Sequence, residues 1–188
     1  LETPNAHIKQ LLESCKKNNT SAQMQLYKLY YKAMFNSAYR ILKDEFEAED
    51  VMQEAFLAAF TKLNDFKGEV TFGAWLKRIV INKSLTQLKK NNRYNEVKME
   101  VVSDNDVNEI EEINYNDVNV KTIIGAINSL KENYRVVLTL NLIEGYDNEE
   151  IAQILNYSNE NVRTTISRAK KKLKGLLIDS KKQMNANG

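Results

Sequence analysis

Apolar residues recur along this chain at intervals of three and four, with no sustained alternation, so the pattern predicts helices divided by short polar breaks. Ile8, Leu11, Leu12 and Cys15 mark a first amphipathic helix over 7–17, broken at Asn18 and Asn19. Thr20 with Gln23 reads as a capping box that opens a long helix over 21–42, with Leu26, Leu29, Ala33, Ala38 and Ile41 as its buried stripe. A helix over 47–63 buries Val51, Met52, Ala55, Ala59 and Leu63. After a loop that turns at Gly68, Thr71 caps a helix over 72–90 holding Phe72, Trp75, Leu76, Ile79 and Val80.

Periodicity lapses from Tyr94 to Asn119, where Asn, Asp and Glu dominate. This stretch reads as an extended or disordered linker. Helices return beyond it. Ile123, Ile124, Ile127 and Leu130 form one stripe, and Val136, Val137, Leu140 and Ile143 another that stops at Gly145. Asp147 and Glu150 form a capping box for a short helix presenting Ile151, Ile154 and Leu155. Ser158 caps a longer helix striped by Val162, Ile166, Ala169 and Leu173. The tail after Asp179 is polar and expected to fray. The fold class is therefore all-α: two small helical domains, at 1–93 and 120–180, joined by an acidic flexible linker at 94–119 and followed by a tail at 181–188.

Composition excludes several kinds of chemistry. Cys15 is the single cysteine, so no internal disulfide forms, and His7 is the single histidine, so a histidine triad or His-rich metal centre is ruled out. No Cys/His cluster offers a zinc site, and no cofactor is expected. No long apolar run marks a membrane span or secretory signal, which makes the cytoplasm the expected compartment. Net charge is +5 over residues 1–95, −7 over 96–119 and +4 over 120–188. Two basic blocks flank an acidic one, a distribution suited to two nucleic-acid-facing domains and a linker that avoids nucleic acid or imitates it.

Three stretches carry candidate function. The short helix, tight turn and longer basic helix at 147–174 spell a helix-turn-helix, whose second helix enters the major groove of DNA. Asn159, Asn161, Arg163, Thr164, Ser167, Arg168 and Lys171 are its candidate contacts, since Arg pairs with guanine, Asn with adenine, and Lys suits phosphate. A plain helical hairpin with a solvated basic face has the same pattern. On the helix at 72–90, aromatic residues interleave with Lys77, Arg78, Asn82 and Lys83, a mixture that fits single-stranded nucleic acid or an ordinary basic amphipathic helix. On the helix at 47–63, Glu47, Asp50, Gln53 and Glu54 share one side. They fit a solvated face, a docking face for a basic partner, or a metal cluster of a nuclease, though side chains on one exposed face diverge.

With these motifs in order, the chain resembles the bacterial sigma factors of the extracytoplasmic-function (ECF) group, in the sigma-70 family. Ala48-Glu49-Asp50-Val51-Met52-Gln53-Glu54-Ala55-Phe56 is similar to the family's helix that docks on a coiled coil of the polymerase β′ subunit. Phe66-Lys67-Gly68-Glu69, with Phe72-Gly73-Ala74-Trp75-Leu76-Lys77-Arg78-Ile79 and Asn82, resembles its loop and helix that melt and read the minus-ten promoter element. Glu149-Glu150-Ile151-Ala152 and Ser158 to Leu173 resemble the helix-turn-helix that reads the minus-thirty-five element. The resemblance implies a non-enzymatic initiation factor. Glu47, Asp50, Gln53 and Glu54 would bind polymerase. Phe66, Lys67, Gly68, Thr71, Phe72, Trp75, Arg78, Asn82 and Lys83 would serve the minus-ten element. It implies as partners core RNA polymerase (β′ and β subunits), promoter DNA both duplex and single-stranded, and an anti-sigma protein, often membrane-bound, while the chain itself inserts in no membrane. Two departures stand out: Lys131 replaces a common proline, and Thr165 an arginine. The alternative is a conventional helix-turn-helix repressor or activator that acts on duplex DNA without docking to polymerase.

Overall fold

The structure, a computed structural model, describes residues 4–94 and 119–186, with side chains within 6–91 and 119–180. It divides into two helical units, Leu1–Glu96 and Val97–Gly188. Most of the expected linker, 95–118, lies outside the described residues; of its expected end residues, Tyr94 belongs to a helix and Asn119 is the N-cap of one.

The first unit holds α1 (Pro4–Lys16), α2 (Thr20–Leu42), α3 (Glu45–Thr61), a 3-10 turn at Leu63–Asp65 and α4 (Phe72–Tyr94). α2, α3 and α4 pack on one another, and α1 lies against α2 and the 3-10 turn. Leu26, Met34, Ile41, Met52, Leu63, Leu76, Val80 and Ile81 are its fully buried large side chains. Each contributes about 1.5–3 kcal/mol of transfer free energy. Ala48, Ala55 and Ala59 are fully buried on α3, and such small side chains permit a short interaxial distance. Cys15 is buried, which pushes its thiol above the ordinary range and keeps it inert.

Two sequence expectations fail in α2. Its N-cap is Asn19 rather than Thr20: Asn19 has extended backbone and its side chain accepts from the Ala22 N–H at 3.0 Å. Asn18 precedes it in the left-handed region and closes α1, so the second asparagine begins a new helix. The buried stripe keeps Leu26, Ala38 and Ile41 as expected but differs at its other positions. Leu29 is 57% exposed and Ala33 is exposed, while Ala22, Met34 and Ser37 are buried. Two overlapping apolar stripes exist on this helix, and packing against α3 and α4 selects the one through Met34.

The second unit holds α5 (Val120–Ser129), α6 (Glu132–Leu138), a π-helical segment at Thr139–Ile143, α7 (Asn148–Leu155) and α8 (Asn159–Ala186). α8 packs against α5, α6 and α7. Ile127, Leu138, Leu140, Ile151, Val162 and Ala169 form the centre of the core, whereas Ile123, Ile124, Leu130, Ile143 and Ile154 are only half-buried. The π segment was not expected. Its Glu144 N–H donates to the Thr139 carbonyl at 2.9 Å, and Gly145, at φ 81°, then ends the helix. α8 continues to Ala186, beyond the point where the sequence pattern predicts fraying.

Candidate polymerase and nucleic-acid interfaces

At the start of α4, the Thr71 hydroxyl accepts from the Ala74 N–H at 3.2 Å and its carbonyl from the Trp75 N–H at 3.1 Å, so Thr71 is the expected cap. Before it, the loop turns at Gly68, whose φ of 77° favours glycine. These local choices bring three rings together. Phe66, from the loop, lies 5.2 Å from Trp75 and 5.9 Å from Phe72, and Phe72 lies 5.9 Å from Trp75, centroid to centroid. Phe66 and Trp75 are half-buried, whereas Phe72 is buried beneath them. Thr71, Trp75, Arg78 and Asn82 succeed one another at four, three and four residues, so they form a row along one side of α4. A ring, a cation and an amide in line can stack a base, hold a phosphate and address a base edge. Lys67 and Gly68 are exposed beside the cluster. Lys83 belongs to an adjacent side, where its ammonium meets Glu54 of α3 at 2.8 Å.

Behind the cluster stands Tyr30 of α2, edge-on to Phe72 at 5.4 Å. A β-carbon built on Gly73 would lie 2.8 Å from the Tyr30 ring. Their closeness is a tertiary fact with no periodic signature in the sequence.

α3 presents a second surface. The four predicted polymerase-binding residues divide there. Asp50 and Gln53 are exposed, with Gln53 Nε2 donating to Glu49 at 2.9 Å. Glu54 is exposed but engaged with Lys83. Glu47 is half-buried and turned to α4, accepting from Asn91 Nδ2 at 2.8 and 2.9 Å and from Gln87 Nε2 at 3.3 Å. Sequence reasoning missed Phe46, 88% exposed, and Leu57, 68% exposed. The spacing of Phe46, Asp50, Gln53 and Leu57 puts them in one row, so the signal was present. Among the described residues, no three His, Cys, Asp or Glu side chains gather where they could hold a metal ion.

The third surface is built by two caps. Asp147 Oδ1 accepts from the Glu150 N–H at 2.8 Å while Glu150 accepts from the Asp147 N–H at 2.9 Å, completing the expected capping box of α7. Asn156, in the left-handed region at φ 58°, ends α7. Ser158 Oγ then accepts from the Asn161 N–H at 3.2 Å and starts α8. Val162, Ile166, Ala169, Leu173 and Leu177 are buried against the unit. Thr164, Ser167, Arg168 and Lys171 therefore occupy the opposite side, with Asn161 and Arg163 flanking, and all six are exposed. Asn159 is exposed too, at the helix start. Asn161 Oδ1 accepts from Thr165 Oγ1 at 3.1 Å.

Residues 26–94 match the family model of sigma-70 region 2, and residues 121–173 that of sigma-70 region 4. The RNA polymerase sigma-H factor of Pseudomonas aeruginosa is 30% identical over 171 residues, covering 86% of this chain and 89% of its own. The ECF RNA polymerase sigma factor SigW of Bacillus subtilis is 29% identical over 184 residues, covering 92% of this chain and 97% of its own. The chain belongs to the ECF sigma factors of the sigma-70 family. Its fold is similar to that of the sigma factor RpoE, solved in complex with the anti-sigma factor NepR from Bartonella quintana (TM-score 0.55, 25% identity, 82% of this chain and 95% of that one). As an ECF sigma factor it is no enzyme; it directs RNA polymerase to promoters and to initiation there. That membership sets aside a repressor acting without polymerase. No described helix is long and apolar enough to cross a membrane.

Proposed function

We propose that this ECF sigma factor divides its work among the three surfaces. The row Phe46, Asp50, Gln53 and Leu57 on α3 docks on the β′ subunit of core polymerase, with Glu54 at its border. Glu47 serves the docking only indirectly, by fastening α3 to α4. Phe66 and Trp75 take an unstacked base of the minus-ten element, Phe72 floors them, and Gly68, Thr71 and Lys67 shape the loop. Arg78 and Asn82 continue along the strand, and Lys83 follows once it leaves Glu54. On α8, Arg163, Thr164, Ser167 and Arg168 face bases of the minus-thirty-five element, with Asn159, Asn161 and Lys171 beside them. Residues 1–93 and 120–180 are the two working domains, 94–119 the tether, and 181–188 a tail. Joining two modest contacts raises the effective concentration of the second. The protein works in the cytoplasm, where polymerase and promoters are. The anti-sigma complex of its structural relative supports an anti-sigma partner here as well, and membrane anchoring would belong to that partner.

The observation that carries the reading is the row of aromatic, cationic and amide side chains on α4 beginning at the ring cluster. Extruding a base costs a few kcal/mol. Stacking on a ring returns about 1–3 kcal/mol, so the cluster offsets much of that cost. Run-off transcription with purified core polymerase on a genomic fragment library tests it. Discrete transcripts are expected only when the chain is added, and Trp75→Ala is expected to abolish promoter opening while leaving association with core intact. A Trp75→Ala protein that opens promoters normally would refute the base-capture role.

A further inference from the structure

We infer that Tyr30 is a positioning residue for base capture: it braces the Phe66–Phe72–Trp75 cluster from α2, and position 73 is glycine to make room for it. The inference rests on the reading that this cluster takes the unstacked base. Gly73 lies in the first turn of α4 and is not among the positive-φ glycines, so its backbone does not require glycine. Alanine would favour the helix. A side chain there would displace the Tyr30 ring, whose Cε1, Cδ1 and Cζ would lie 2.8, 3.4 and 3.6 Å from a β-carbon. Gly68 is the opposite case, with φ of 77° and nothing within 4 Å. The Tyr30 ring meets Phe72 at 67° and Phe72 meets Phe66 at 82°, two edge-to-face contacts, and Phe72 and Phe66 then meet Trp75 at tilted angles of 43° and 42°. Edge-to-face contacts depend on angle, so a tilt of the first ring passes to the others. Tyr30 touches the cluster through ring carbon and not through its hydroxyl. Phenylalanine should therefore replace it, and an aliphatic side chain should not.

The test uses holoenzyme assembled from the full chain and core polymerase, on a promoter with 2-aminopurine at the minus-ten non-template strand, whose fluorescence rises when the base unstacks. Association with core and binding to the upstream duplex are measured alongside. Tyr30→Ala is expected to cut the opening signal about fivefold or more, the lower bound for losing one base–aromatic stack. Core association and upstream binding stay unchanged, and Tyr30→Phe restores the signal. Gly73→Ala should produce a similar loss alone and none further on top of Tyr30→Ala, because the clash partner is gone. Where Tyr30→Ala fails to fold by circular dichroism, Tyr30→Leu and Gly73→Ala carry the same comparison. The inference is overturned if these variants open the promoter as the parent does while Trp75→Ala does not, or if the two losses multiply. It is overturned equally if Tyr30→Phe behaves like Tyr30→Ala. Normal opening by Trp75→Ala sinks the base-capture reading itself, and this inference with it.

Discussion

Glu47 and Asp50 stand three residues apart on the same helix, yet their surroundings separate their roles. Glu47 holds Asn91 and Gln87 of α4, while Asp50 faces outward between Phe46 and Leu57. Asp50→Ala is expected to weaken association with core polymerase in a pull-down without moving the melting temperature. Glu47→Ala should do the reverse at first order, costing about 1 kcal/mol of stability in denaturant titration, the usual worth of a lost hydrogen bond. Sequence spacing alone put both carboxylates on one docking face, because it reports an angle around the helix and not what stands opposite. The same blindness hid the closeness of Tyr30 and Gly73. At residue scale, what was legible was whatever a side chain does within its own helix turn: Thr71, Asp147, Glu150 and Ser158 all cap as their types and positions predict.

At the scale of elements, periodicity located every long helix, and errors arose where two solutions compete locally. Thr20 and Asn19 both suit an N-cap, and the structure uses Asn19. Asn19→Ala should therefore cost about 1 kcal/mol in unfolding, whereas Thr20→Ala should change little. On α2 a stripe through Leu29 and Ala33 rivals the one through Met34, and only the neighbours α3 and α4 decide between them. The entry to α6 gives a further case. Leu130 is extended at ψ 157° and Lys131 has φ −55°, values that a proline at 131 accepts, with no side-chain cap bond to lose. Lys131→Pro is expected to raise stability by about 0.4–1 kcal/mol, read as a higher melting temperature, by restricting the unfolded chain.

For the molecule as a whole, the charge map was the most informative sequence feature. It separated two basic blocks from an acidic one and so anticipated two helical units, although the acidic block itself falls mostly outside the described residues. Binding that joins base contacts to phosphate contacts has two separable signatures. On an upstream-element duplex with holoenzyme, Arg163→Ala should cost about 1–3 kcal/mol and relax sequence preference. Lys171→Ala should weaken all sequences alike and lower the slope of log affinity against log salt by about 1. A uniform loss for both would return Arg163 to the phosphates. Less legible was the π segment at Thr139–Ile143, since a wider turn needs no distinctive residue. That turn holds one residue more than an α turn, so the chain carries slack immediately upstream of α7 and α8. Excising Leu142, 47% exposed, should draw the turn in to ordinary pitch and leave the exit direction nearly as it was, with circular dichroism and melting close to the parent's. Excising Lys170 from α8 admits no such repair: Leu173 and Leu177 would swing about 100° off the core, and the second unit would come apart.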